Sequence, residues 1–504
     1  MSRVVTRAEV DRSEVERFLR PRDGFVLERP VGDWAFEAAE GPVGTYRRRV
    51  EVEVLPDGRA AVTETIDFDL AIPFFGWLFA VPVRRLLARG DRPTAPWWAP
   101  PERLDAGASS SLAVLAVVAA IGGYLAALLT TTIAFAGRQF GAGPADQSVA
   151  GVVVRFAGAA ALVGAAAAAD RLGRRRVILW TSVLGSVVTA TGALVPSLPW
   201  LAGSQALARS LSVALLICVS IAVAEEMPPR ARAYGVSVLG MSAGLGGGLA
   251  AVAVSVADVA PWGWRLLYLL PRPGLVLVRM VGRRLRETRR FERPHPGAAI
   301  PGHGGRLGLL AVSAVLGSLM ATPASFFATR YLLVEHGFSA PEVSLFTVLT
   351  GTPGVIGVIV GGRLADTRGR RRVGAVAVTV GTVTTALFYL ASGAALWILP
   401  VIGSVIGAAA LPALGVYGPE LFPTGLRGRA GGLLALAGLV GSAAGLLATG
   451  LLADRIGSVG PVIAVLAAGP LVLAAVVLVA YPETAGRTLE DLNPEDRRPA
   501  EADR

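Results

Sequence analysis

The chain has 504 residues, 53% of them hydrophobic and 17% charged, with a mean hydropathy of +0.57. A soluble domain wets its surface with about 25% charge, so an ordinary soluble enzyme is excluded, and apolar runs of spanning length after Ser111 exclude disorder. The net charge of +11 is carried by arginine alone, no lysine being present; the arginines cluster between apolar runs, which sets membrane orientation and argues against nucleic-acid binding.

Residues 1–110 differ in kind from the rest. Thr6-Arg-Ala-Glu9 predicts a capping box opening a short helix, with Val10, Val15, Phe18 and Leu19 apolar. Period-two alternation in 50–54 and 66–70, around the turn signal Pro56-Asp57-Gly58, predicts a β-hairpin. The apolar run 74–83 is too short to span and fits either a core segment of a small α+β domain or a helix lying at the membrane surface. Trp97-Trp98 in the Pro-rich linker suits the headgroup level. The N-terminus lacks the apolar core of a signal peptide and is expected to stay in the cytoplasm.

Apolar runs then place spans at about 111–137, 146–169, 176–196, 199–224, 234–257 and 264–282, and, after a polar gap, at about 306–331, 341–362, 373–391, 394–419, 428–452 and 460–481. Pro271-Arg272-Pro273 must break or kink the sixth span unless it sits in an irregular turn. The expected organisation is a cytoplasmic α+β segment and linker (1–110), a six-helix half (111–282), a cytoplasmic middle loop (283–305), a second six-helix half (306–481) and a cytoplasmic tail (482–504). Arginine-rich loops on one side, holding residues such as Arg174–Arg176, Arg230, Arg283 and Arg370–Arg372, place both termini in the cytoplasm of a multi-pass plasma-membrane protein. Arg175, Arg176, Arg371 and Arg372 are expected to serve orientation and lipid phosphates. One cysteine, Cys218, and three scattered histidines give no metal-ligand spacing. No catalytic histidine or phosphate-cradling loop appears, so no metal, cofactor or enzymatic chemistry is expected.

Three charged motifs recur in the same order in both halves. Asp170-Arg-Leu-Gly173-Arg174 after span 2 matches Asp366-Thr-Arg-Gly369-Arg370 after span 8. A Glu-x-x-Pro-x-x-x-Arg loop runs from Glu225 to Arg232 after span 4, and from Glu420 to Arg427 after span 10. Glu287-Thr288 after span 6 matches Glu483-Thr484 after span 12. Such self-similarity reads as internal duplication.

On these motifs the chain resembles the major facilitator superfamily, in particular its sugar-porter and metabolite:proton symporter branch, over roughly residues 105–490. The resemblance implies an all-α bundle of twelve spans in two six-helix halves, a secondary transporter working by alternating access, and a solute site between the halves near the midplane. It implies no cofactor; the partners are a small-molecule solute, membrane lipids and, as one option, a coupling proton. The usual glycine four residues before the loop aspartate is present as Gly362 but is replaced by Ala166 in the first half. Charge-assisted Arg–carboxylate pairs hold one helix placement, so Asp170, Glu225, Arg232, Asp366, Glu420 and Arg427, with Gly173, Arg174, Glu287, Gly362, Gly369, Arg370 and Glu483, form a candidate cytoplasmic gate.

Ionisable groups inside spans are costly and mark function. Arg155 and Arg209, each about ten residues into a span, are therefore candidate substrate contacts and favour an anionic metabolite. Few amides lie in the spans and span 1 has no acid, which supports neither a sugar nor proton coupling. Export of amphipathic drugs, or a transporter-like sensor with the N-terminal segment as output, are the alternatives. Glycines crowd span 5 (Gly235, Gly240, Gly244, Gly246–Gly248) and span 11 (Gly438, Gly441, Gly445), where close packing and sliding between halves are equally open readings.

Overall fold

A computed structural model describes residues 2–90, 99–100, 102–228, 231–285, 303–423, 427–485 and 492–493. Within these, the side chains of 162–172, 224–225, 232–233, 273, 277, 284, 366, 419 and 427–428 lie outside the description.

The N-terminal segment is a five-stranded antiparallel sheet with two helices. Its strands, β1 (Ser2–Val10), β2 (Leu27–Pro30), β3 (Ala35–Glu40), β4 (Val43–Val54) and β5 (Ala60–Leu70), pair in the order β1-β5-β4-β3-β2. The hairpin stands where the alternation places it: Val54 faces Ala60 across a turn whose Gly58 takes φ +86°. The capping box does not form. Thr6 to Glu9 lie within β1, paired with β5, and helix α1 (Arg12–Phe18) starts later with Asp11 at its N-cap. The strand pairing of a nine-residue segment outcompetes one local side-chain cap.

Period two puts Tyr46, Arg48 and Val50 of β4 on the buried face. Arg48 is fully buried and its charge is met by Glu28 at 2.6 Å and Glu64 at 2.9 Å; Arg22 joins Glu64 at 2.6 Å and the Tyr46 hydroxyl donates to Glu28 at 2.6 Å. A buried cation needs such complete pairing. Helix α2 (Gly76–Ala88) covers the sheet with Val83 and Leu87, one turn apart, against Ile66 and Phe68. Its other face leaves Trp77, Leu78 and Val81 exposed, so the helix serves the core of the small domain with one face only. Phe74 and Phe75 pack into the membrane bundle, and the Trp97-Trp98 pair lies outside the described residues.

The bundle follows the expected runs. Span 1 is Ala106–Phe140, span 2 Pro144–Leu172, span 3 Arg174–Thr191, span 4 Leu198–Glu226 and span 5 Arg232–Ala253. Span 6 divides into a 3-10 segment, Gly263–Tyr268, and a helix, Arg272–Arg284. The Pro-Arg-Pro run opens that second helix, where a missing amide costs nothing. Span 7 is Gly304–Arg330, span 8 Ala340–Gly351 and Gly354–Arg368, span 9 Arg370–Phe388, and span 11 Arg427–Ile456. Span 10 comprises Ala394–Gly407, Ala410–Gly415 and Tyr417–Glu420, and span 12 comprises Gly460–Leu466 and Ala468–Ala480. Among the described residues, nine helices are long and apolar enough to cross a membrane. This is a multi-pass membrane protein.

Several span glycines pack within halves, while Gly151 and Gly450 pack between them. A Cβ on Gly123 of span 1 would stand 2.0 Å from the Ala243 carbonyl oxygen of span 5, and one on Gly246 would stand 1.9 Å from that of Ala120. In the second half Gly441 and Gly445 of span 11 meet the Val315 and Leu319 carbonyls of span 7 in the same way. Gly240, Gly244 and Gly248 have open space where a Cβ would stand.

The apolar core shows how the halves meet. Towards the arginine-poor face, one cluster joins Phe135, Trp264 and Tyr268 of the first half to Phe326, Tyr331 and Phe388 of the second. Towards the arginine-rich face it separates into two, one around Leu115, Ile178 and Val219, the other around Tyr417, Phe422 and Val477. The hydrogen bonds between halves among the described residues follow suit. They run from Arg138 to the Leu333 carbonyl at 2.5 Å, Ala145 to Asp454 at 3.2 Å, Ser148 to the Leu446 carbonyl at 2.7 Å and Ser344 to the Val252 carbonyl at 3.3 Å. The Ala340 amide also donates to Asp258. Among the described residues, the halves are joined at one face and parted at the other.

Candidate functional site

At the arginine-rich face of the second half, the three repeated motifs meet. Span 8 ends at Gly369, whose φ of +97° turns the chain directly into span 9. A Cβ there would stand 2.8 Å from a carboxylate oxygen of Glu483, so the turn needs glycine for both conformation and space. Glu483 accepts the Arg370 amide at 2.9 Å and the Arg371 amide at 3.3 Å, which places a carboxylate on the N-terminus of span 9. Burial pushes the Glu483 carboxyl up, but the amides of Arg370, Ala485 and Arg371 outweigh it and hold the group below the usual glutamate range. The Arg370 guanidinium bonds the Glu420 carboxylate and, at 3.0 Å, the Thr484 hydroxyl. Tyr417 donates to the Pro482 carbonyl at 3.0 Å and meets the Tyr481 ring edge-on at 4.7 Å. Asn493 reaches the Glu420 carbonyl at 2.7 Å, and Arg306 the Leu421 carbonyl at 3.0 Å.

The Arg370–Glu420 pair thus closes within the second half, tying the end of span 10 and the tail after span 12 to the start of span 9. Gly362 lies against Pro412 of span 10. In the first half Gly173 repeats the turn with φ +86°, and Arg174 is buried beside it. The side chains of Asp170, Glu225, Arg232, Asp366 and Arg427, and all of Glu287, lie outside the described residues.

Two arginines expected to serve orientation and lipid phosphates also have partners within the protein. Arg175 donates to the Leu285 and Gly282 carbonyls, both at 2.8 Å, and Arg371 to the Leu478 carbonyl. The 196 residues that separate Arg175 from Arg371 also separate Gly282 from Leu478. Each arginine therefore reaches the last turn of the sixth span of its half, where carbonyls lack helical partners. The repeat carries this signal, since both arginines occupy the same place in the motif.

Deeper in the bundle, Arg155 and Arg209 each lie 11 residues past the first residue of their helices, roughly 16 Å along the axis. Arg155 bonds the Gly151 carbonyl at 3.4 Å and stands over the Phe326 ring of span 7 at 5.3 Å, which sets it at the junction of the halves. Arg209 donates to the Ala126 carbonyl of span 1 at 3.2 Å and lies against Gly158 of span 2.

The Major Facilitator Superfamily model matches residues 112–308 and again 307–502. The chain belongs to the Major Facilitator Superfamily. The split between the two matches falls where the internal repeat divides the sequence. Among solved structures, the inward-open xylose transporter XylE from E. coli aligns with a TM-score of 0.64 at 16% identity, over 77% of this chain and 99% of that one. The nucleoside transporter NupG gives 0.63 at 11% identity, over 74% and 100%. An inward-facing, unoccupied bacterial homologue of the human lysosomal transporter Spinster gives 0.58 at 16%, over 78% and 98%. These likenesses are of fold. No curated protein matches the sequence.

Proposed function

We infer that this superfamily member is a secondary transporter that moves a small organic solute by alternating access. The observation that carries the reading is the core that joins both halves at one face and parts into two at the other. A two-half bundle closed on one side gives a solute access from the other, and rocking about the shared core reverses that access. We place the arginine-rich face in the cytoplasm of a plasma-membrane protein, with both termini there, so that the state described is open inward. The motif node of the second half then acts as a clamp that moves spans 9, 10 and 12 as one body.

The solute class we propose is a small organic anion. Arg155 and Arg209 stand at equal depth, and carbonyl groups and one ring are what the described residues offer them. A carboxylate would supply the bidentate acceptor they lack. Purified protein screened by thermal shift against metabolite and drug panels should rise in melting temperature most with carboxylates, because a ligand that binds the folded state stabilises it by mass action. Protein-dependent uptake of the best ligand into proteoliposomes then tests transport. Preference for amphipathic cations would favour the exporter reading; binding without flux would favour a sensor.

A further inference from the structure

A cavity of about 410 Å3 lies well away from the junction of the halves, between the N-terminal segment and spans 1 and 5. That volume is in the range of small-molecule sites, about 300–1,000 Å3. One wall is helix α2 and the loop before it, with Phe75 and Phe79; the other is the arginine-rich end of spans 1 and 5.

Its polarity is graded along the helices. Asp23 and Arg103 stand at the mouth, and Ser109, Leu112 and Ala116 follow in order down span 1. By helix rise, Ser109 is about 5 Å and Ala116 about 15 Å past the start of the span. On span 5 the floor is formed by Met241 and Leu245, which are 67% and 66% exposed and so open sideways onto the hydrocarbon of one leaflet. Ser109 is the informative group. It is 95% buried, and its hydroxyl has no hydrogen-bond partner among the described residues. A buried polar atom in that state is costly and calls for a partner, which an occupant of the cavity that Ser109 lines can supply. Ser242, by contrast, is satisfied by the Val238 carbonyl at 2.8 Å. Nor is the mouth cationic. Arg103 is spent on Asp23 and on the Gly24 carbonyl at 2.9 Å, with Glu40 at 4.0 Å.

We propose that this cavity binds a single hydrocarbon chain carrying an uncharged hydrogen-bonding head, with the head at Ser109 and the chain running down between spans 1 and 5. The chain could come from a diffusible amphiphile such as a monoacylglycerol, or from the ester region of a bilayer phospholipid. Both share the chemistry, and they enter through the same side opening. The site is separate from the proposed solute site and does not depend on it.

The test uses the full chain in nanodiscs, with diazirine-bearing monoacylglycerol and diazirine-bearing phosphatidylethanolamine as probes, and labelled peptides mapped by mass spectrometry. Residues 109–116 and 238–245 should label several-fold above exposed apolar span positions such as Val355 and Ile359. Competition by unlabelled monoacylglycerol would identify a diffusible ligand; labelling by the phospholipid probe alone would identify a resident lipid. Ser109→Ala keeps the cavity and should lower labelling there about two- to tenfold, the scale of one hydrogen bond. Ala113→Trp fills the cavity and should abolish labelling there while Val355 and Ile359 label as before. Labelling no stronger than at those positions, or unchanged by Ser109→Ala in protein with a wild-type melting temperature, overturns the proposal.

Discussion

Glu483 ties the tail to the turn before span 9 through backbone amides, and its carboxyl is held below the ordinary value near 4.5. Protonation therefore costs more in the folded chain than in the unfolded one. The carboxylate's contribution is complete above the unfolded glutamate range and is lost as pH falls through the folded value. Glu483→Gln should melt below the wild type at neutral pH, and the gap should narrow below about pH 4; a gap independent of pH would show that charge plays no part. Arg209 tests solute class. A guanidinium can hold a carboxylate through two parallel bonds and an ammonium cannot, so Arg209→Lys should weaken an anionic ligand by about 1–3 kcal/mol while leaving a neutral one nearly unchanged. Titration calorimetry with both ligands reads this directly, and equal losses would remove Arg209 from the site.

At the scale of elements, helix contacts and buried pairs decide stability. Gly123→Ala sets a methyl group against the Ala243 carbonyl, where a Cβ would stand at 2.0 Å, and should cost about 1–3 kcal/mol by overpacking. Gly240→Ala, with open space at that point, should cost nothing measurable in the same thermal unfolding series. In the N-terminal sheet, Glu28→Ala removes one of two carboxylates from a buried pair of arginines and strands the Tyr46 hydroxyl. The expected loss is about 3–5 kcal/mol, seen as faster hydrogen exchange in residues 43–70 of the full chain; unchanged exchange would mean that the network is dispensable. The sequence made some of these elements plain and hid others. The spans and the hairpin were legible because hydrophobic run length and period-two alternation are one-dimensional signals. The Thr6–Glu9 segment misled, since a cap motif says nothing of the distant strand β5 that pairs with it. Arg48 was equally unreadable: its burial depends on Glu28 and Glu64, 20 and 16 residues away.

At the scale of the whole molecule, two related halves share, among the described residues, one apolar core at a single face. The duplication was legible from motif spacing, and the family with it. Which motif residues meet was not: the Arg370–Glu420 pair lies within one half, although the sequence fits a bond within a half as well as one between halves. The state of the bundle was also beyond the sequence, because each face of a transporter keeps its own composition whichever one is open. Alternating access requires the joined face to come apart in each cycle. A Cβ at Gly143 would lie 3.4 Å from the Asp454 side-chain carboxyl carbon, a spacing that cysteines at both positions can bridge. The direct measurement is uptake by proteoliposomes holding Gly143→Cys and Asp454→Cys in a Cys218→Ser background, using a solute that the wild-type chain carries. Oxidation, with the crosslink verified by mass spectrometry, should stop uptake, and a reductant should restore it. Undiminished uptake by fully crosslinked protein would contradict transport by rocking of the two halves.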